Sequence, residues 1–177
     1  TSKVEGAPRA GAPSTLLVAL GAPRKVLFLR DFCTRPQGST CMECIKACPK
    51  GAIAFANAAA AVDAHACTKC GICVGVCDGF AIPGASVEAI FSHMRKISLT
   101  GEDIVLTCSY LLPPNFTPAD NVIVLPCLSM LPPELWICAL ALGMDLAVAV
   151  AFEECETCKR TCGQGLDRFS SAIEQAE

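Results

Sequence analysis

The sequence has 177 residues and a formal net charge of −3, enough chain for one ordinary domain or two small ones, with no general affinity for nucleic acid implied. Fourteen residues are cysteine, a density that in a short secreted chain would signal a disulfide scaffold. Residues 1–30 lack a long apolar core followed by a small-residue cleavage site, so no secretory signal is read, and metal in a cytoplasmic protein is expected rather than disulfides.

Residues 1–13 are rich in Gly, Ala and Pro and, with the residues up to 25, read as a flexible arm. Val26 to Leu29 is a short strand candidate opening a first domain over 26–84. That stretch contains an internal repeat. Cys48-Pro49-Lys50-Gly51-Ala52-Ile53 is echoed by Cys77-Asp78-Gly79-Phe80-Ala81-Ile82, each after three further cysteines. Val87, Ile90, Phe91, Met94 and Ile97 then recur at helical spacing between Gly84 and Thr100-Gly101, which predicts a linking helix within 85–101.

From residue 102 the pattern changes. Ile104 to Leu106 is a strand ending at Cys108, and Val122 to Leu125 a second ending near Cys127. Residues 132–143 read as a helix started by Pro132-Pro133 and stopped by Gly143. Leu146 to Phe152 is a third apolar run ending before Cys155, and residues 164–176 a last helix. Buried parallel strands alternating with helices predict a small α/β domain with a short parallel sheet over 102–177. The nearest candidate for a membrane span, Leu135 to Phe152, is interrupted by Gly143 and Asp145. It reads as a helix, a turn and a strand, all buried, because a span takes ~18 or more apolar residues.

The most specific signal lies between residues 33 and 77. Cys67, Cys70, Cys73 and Cys77 follow the spacing C-x2-C-x2-C-x3-C. A cubane presents four iron corners, each needing one thiolate; a tight loop reaches three, and the fourth cysteine starts a helix or turn that points towards the other cluster. Gly71 and Gly75 leave room for backbone amides to approach the sulfides. The preceding half, Cys33, Cys41, Cys44 and Cys48 followed by Pro49, matches in its C-x2-C-x3-C-P portion, with seven residues where two are usual after Cys33.

This double motif resembles the bacterial two-cluster ferredoxins over about residues 31–83, which implies an α+β ferredoxin-like fold and two [4Fe–4S] clusters. Carried across residue by residue, the resemblance assigns Cys33, Cys41, Cys44 and Cys77 to one cluster and Cys67, Cys70, Cys73 and Cys48 to the other. A [3Fe–4S] cluster is the alternative if the Cys33 loop does not fold back. Two zinc sites would usually need paired ligand knuckles rather than a crossed set of eight.

The remaining cysteines are argued from topology. Parallel strands end on one sheet edge, where open α/β domains build their sites, so Cys108, Cys127 and Cys155 should converge. Cys158 and Cys162 follow on the loop entering the last helix. This half resembles the delta subunit of methyl-viologen-reducing hydrogenases, which implies a [2Fe–2S] cluster held by four of these five, namely Cys108, Cys127, Cys155 and either Cys158 or Cys162. Zinc or a disulfide is the alternative. Cys138 lies mid-helix beside Leu135, Trp136 and Leu142 and reads as a packed thiol.

Nothing pairs a nucleophile with a base, and Gly163-Gln164-Gly165 is no dinucleotide fingerprint. Glu43 and His65 read as solvated surface, a hydrogen bond to a cluster being the alternative for His65; Lys46, Lys50, Lys69, Lys159 and Arg160 each read singly as solvated surface, the alternative being that they offset cluster charge or bind an acidic partner. The expectation is an electron-carrier subunit, not itself an enzyme and without a small-molecule substrate. It would relay single electrons to a partner such as a hydrogenase, a formate dehydrogenase or a heterodisulfide-reductase-like flavoprotein. The competing expectations are a structural assembly subunit whose C-terminal cysteines hold zinc or no metal, and a cysteine-based redox sensor.

Overall fold

A computed structural model describes residues 25–56, 59–113 and 115–176 of the chain. The arm expected over residues 1–25 therefore lies, apart from Lys25, outside the described residues. The structure is mixed α and β with three small sheets.

The internal repeat becomes two copies of one local structure. Helix α1 (Glu43–Ala47) is closed by Cys48 and followed by strand β2 (Ile53–Ala56). Helix α2 (Ile72–Val76) is closed by Cys77 and followed by strand β4 (Phe80–Ala81). Each closing sulfur accepts a backbone N–H, from Ala52 at 3.3 Å for Cys48 and from Gly79 at 3.3 Å for Cys77. The fourth cysteine of each motif thus ends a helix and, of the helix or turn expected after it, starts a turn, at 49–50 after Cys48 and at 78–79 after Cys77. Its position at the C-terminal cap turns the chain away from the helix axis. Strand β1 (Leu27–Phe28) pairs antiparallel with β4, and β2 pairs antiparallel with β3 (Ala59–Val62).

The linking helix is α3 (Val87–Ser98). The Ser86 side chain accepts the Ala89 N–H at 3.1 Å as its N-cap, an interaction typically worth about 1 kcal/mol. Ile90, Met94 and Ile97 form its buried stripe, each worth about 1.5–3 kcal/mol of apolar burial. Strands β5 (Ile104–Cys108), β6 (Val122–Leu125) and β7 (Leu146–Ala149) form a parallel sheet in the order β6-β5-β7. Helix α4 (Pro133–Ala141) separates β6 from β7, and α5 (Phe152–Glu156) and α6 (Gln164–Glu174) follow.

Several expectations about this half are corrected. The third apolar run is strand only to Ala149; Phe152 opens α5 and is exposed. The stretch from Leu135 to Phe152 is not all buried. Ile137, Leu140 and Leu142 are exposed, and so is Cys138, because only one side of α4 faces the core. The edge strands β6 and β7 are half-covered while central β5 is almost wholly buried; in a three-stranded sheet two of the three strands are edges. Among the described residues no helix is long and apolar enough to cross a membrane.

One hydrophobic core runs through both halves. Val26, Ile53, Phe80 and Ile82 belong to the same cluster as Ile104, Leu106, Ile123 and Leu125, together with the α3 stripe and Met130. The closest approach is between α2 and the 3-10 turn at Leu128–Met130. A Cβ on Gly75 would collide with the Met130 carbonyl oxygen, and one on Gly71 would stand 3.1 Å from the Met130 sulfur. Because the Gly75 clash is with backbone, Gly75→Ala must displace the turn, an overpacking change of about 1–3 kcal/mol. The thermal midpoint of the purified protein is expected to fall by roughly 5 °C; an unchanged midpoint would show that the approach is looser than described.

Candidate metal centres

All fourteen cysteines are free thiols, and twelve of them line three cavities, four to each. The first cavity is lined by Cys33, Cys41, Cys44 and Cys77, with Phe28, Phe55 and Phe80 beside them. Cys44 is buried, Cys33 and Cys77 are half-buried and Cys41 is exposed. Burial pushes the Cys44 thiol pKa up, and Cys77, Cys41 and Cys33 add to the effect. Cys77 is raised by burial, and Cys33 and Cys41 add to it; the Gly79 N–H opposes. These mutual effects place the four sulfurs within electrostatic reach of one another.

The lengthened stretch between Cys33 and Cys41 does fold back. A 3-10 turn at Arg35–Gln37 ends on Gly38 in the left-handed region (φ 93°), and the Ser39 N–H donates to the Thr34 carbonyl. The Arg35 guanidinium then closes the loop. It donates to the Cys41 carbonyl at 2.8 Å and stacks over the Phe55 ring at 4.1 Å. Nothing in the sequence pattern marks Arg35 for this role, because its partners are a main-chain oxygen and a ring 20 positions away.

The second cavity is lined by Cys48, Cys67, Cys70 and Cys73 among Val26, Ile53, Val62 and Ile72. Cys70 and Cys73 are buried. Burial, reinforced by Cys70, Cys67 and Cys48, pushes the Cys73 thiol up to about 12. The tight turn through Cys67–Cys73 needs left-handed backbone at Lys69 (φ 60°) and Gly71 (φ 85°), the former an uncommon conformation for a residue with a side chain. Asp63 anchors the entry, its carboxylate accepting the N–H groups of His65 and Ala66. His65 is exposed and lines none of the three cavities.

The third cavity gathers Cys108 at the end of β5, Cys127 after β6, and Cys155 and Cys158 on and after α5. Cys158 is buried, whereas Cys162 is exposed, has a positive φ (52°) and is absent from the lining. The structure therefore brings together Cys108, Cys127, Cys155 and Cys158 and leaves Cys162 outside. The Tyr110 N–H donates to the Cys108 sulfur at 3.4 Å. The Cys108 thiol donates to the Pro126 carbonyl at 3.3 Å and the Cys127 thiol to the Ser129 hydroxyl at 3.4 Å; the two thiols titrate as a pair, which gives up one proton readily and holds the second strongly. Cys127 is lowered to about 6 by the Cys108 thiol, against the effect of burial and with help from Ser129 and Arg160. Cys108 is raised, first by that same partner and then by burial.

Arg160 is not the solvated surface cation expected. Its guanidinium donates to the Ser109 hydroxyl at 3.0 Å and to the Pro126 carbonyl at 3.1 Å. The flanking cysteines in Cys158-Lys159-Arg160-Thr161-Cys162 were a signal for it, but one that did not separate Arg160 from Lys159.

Among the described residues no three His, Cys, Asp or Glu side chains close on a point suited to a single metal ion. The donor sets are all sulfur, four per cavity, with N–H groups directed at Cys48, Cys77 and Cys108. Buried thiols of raised pKa stay protonated at neutral pH, and a metal that replaces the proton removes the cost of burying the thiolate. The residues present fit iron–sulfur clusters on these grounds. The chain matches no family model, no curated protein and no solved structure.

Proposed function

We propose that the chain is an iron–sulfur electron-transfer subunit. Cys33, Cys41, Cys44 and Cys77 hold one [4Fe–4S] cluster, Cys48, Cys67, Cys70 and Cys73 a second, and Cys108, Cys127, Cys155 and Cys158 a [2Fe–2S] cluster. The first half then has a two-cluster ferredoxin arrangement. The observation that carries this reading is the sorting of twelve cysteines into three cavities of four, with Cys48 and Cys77 exchanged between the repeats. Bound clusters supply one-electron redox steps at potentials set by burial and hydrogen bonds to sulfur.

The protein's own residues tune those steps. N–H groups of Ala52, Gly79 and Tyr110 donate to ligand sulfurs, which stabilises charge on them. Arg35 holds the Cys41 segment. The chain would serve a catalytic partner subunit in the cytoplasm, such as a hydrogenase, a formate dehydrogenase or a heterodisulfide-reductase-like flavoprotein.

Anaerobically purified protein is expected to contain about ten iron and about ten sulfide atoms per chain, with negligible zinc. Paramagnetic resonance of the reduced protein should show a third signal besides those of the cubanes. About eight irons without a third signal would remove the C-terminal centre. Zinc without sulfide would overturn the whole reading in favour of a structural assembly subunit.

A further inference from the structure

The second and third thiol sets meet at a seam. Cys127 packs against Cys70 together with Ala47 and Ile72, and Cys127 also acts electrostatically on Cys70. Arg160, on the Cys158–Cys162 loop, touches the Cys67–Cys70 loop and the ends of β5 and β6 at this seam. Its backbone carbonyl accepts the Thr68 hydroxyl at 2.9 Å, and Thr68 lies between Cys67 and Cys70 and acts on the Cys70 thiol. Its guanidinium bonds the residue after Cys108 and the residue before Cys127, and lies 5.7 Å from the Tyr110 ring. Four cysteine-bearing segments from both halves of the chain are joined through one side chain and its carbonyl.

We propose that Arg160 is the positioning residue of this seam, fixing the Cys67–Cys70 loop against the ends of β5 and β6 and setting a permanent positive charge beside Cys108 and Cys127. The inference rests on the reading of both thiol sets as cluster ligands. Arginine suits the task on two counts. It stays charged at any working pH, and its planar donors can satisfy a carbonyl and a hydroxyl at once, where a lysine offers a compact point charge. Reduction adds negative charge, so a fixed cation close by favours the reduced state and raises the potential.

Three variants separate charge from geometry. Arg160→Met keeps the bulk of the stem and removes the charge. Arg160→Lys keeps the charge and loses the fork. Thr68→Val leaves the guanidinium and deletes the hydrogen bond across the seam. Each is purified anaerobically as the full chain, its iron counted, and its centres titrated by paramagnetic resonance at controlled potential. Arg160→Met is expected to shift the reduced-to-oxidised ratio of the C-terminal centre about tenfold towards oxidised at a fixed poise, equivalent to about 59 mV. Arg160→Lys should recover most of that shift. Thr68→Val, which also removes a hydrogen bond to Cys70, should leave the C-terminal potential in place but weaken the magnetic coupling between the second and third centres. The cubane at Cys33–Cys77 should not respond to any of the three.

An unmoved C-terminal potential in Arg160→Met, with that centre formed, would overturn the charge role; unmoved coupling in Thr68→Val would overturn the seam. If Arg160→Met does not fold, Arg160→Gln, which also removes the charge, takes its place, and an unmoved C-terminal potential there, with that centre formed, would have the same force. Failure of the parent reading is distinguishable, because the unsubstituted protein would then lack the third signal before any variant is made.

Discussion

Alanine in place of Cys77 is expected to remove the iron bound by Cys33, Cys41 and Cys44, and alanine in place of Cys48 the iron bound by Cys67, Cys70 and Cys73. Read by sequence proximity the opposite would hold, since Cys77 stands four residues from Cys73 and Cys48 four from Cys44. The exchange follows from the helices. Each fourth cysteine sits at the C-terminal cap of a five-residue helix, where the chain turns, and lines the cavity opposite to the one lined by the other cysteines of its motif. Each variant should lose about four irons and about four sulfides and keep the resonance of the other cubane. Alanine rather than serine leaves no oxygen to substitute as ligand. Retention of the Cys33–Cys44 iron in Cys77→Ala, with loss of the Cys67–Cys73 iron, would refute the crossed assignment.

The metal-free chain is expected to lose stability steeply as pH rises from about 9 to about 12. An exposed thiol in the unfolded chain has its ordinary value near 9.0, whereas Cys73 in the fold is pushed up to about 12 by burial and by its three neighbours. Cys44, Cys70, Cys77, Cys108 and Cys155 are raised as well; burial is the leading cause except at Cys108, where the Cys127 thiol leads. A raised folded pKa gives stability that is fully present below the unfolded value and lost as pH climbs through the folded one. Cys73, 9 % exposed, alone accounts for up to about 1.4 kcal/mol per pH unit across that window. Cys127, lowered to about 6, works in the other direction. Its contribution is present above pH 9 and lost as pH falls through 6. The metal-free protein should therefore be most stable near pH 9, as read from urea midpoints against pH. Cys73→Ala should flatten the alkaline limb. A midpoint indifferent to pH between 9 and 11 would mean that these thiols are not buried together.

Much of this arrangement was legible in the sequence, and the reasons divide cleanly. The three strands of the parallel sheet and helices α3, α4 and α6 follow from runs and periodicities long enough to be unambiguous, and the convergence of Cys108, Cys127 and Cys155 followed from topology alone. The helices α1, α2 and α5 span five residues each, too few for a 3.6-residue period to register. The hairpin β2–β3 hides in an alanine-rich stretch with little alternation of polarity. Choosing Cys158 over Cys162 depends on the left-handed turn at Cys162, which no spacing rule encodes. Gly75 was read as giving amides access to sulfide; its need is the Met130 carbonyl across the seam, a contact between positions 55 apart in sequence. Arg35 went unrecognised, and Arg160 was not separated from the other cations near the cysteines, because main-chain carbonyls are among their partners, and a carbonyl has no residue type to match.

The three cavities differ in how a metal donor could reach them. Cys41 is open to solvent and Cys33 half-open, so the first set can be filled, or refilled, in the finished fold. Cys70 and Cys73 are buried, and the Met130 side chain covers Gly71 at the mouth of their turn. On the proposed reading, the turn at Leu128–Met130 over α2 narrows the approach to Cys70 and Cys73, while Cys48 and Cys67 stay half-buried. The same turn lies next to Cys127, which packs against Cys70, so the proposed reading ties filling of the two inner sets to docking of the C-terminal half and leaves the outer set independent of it.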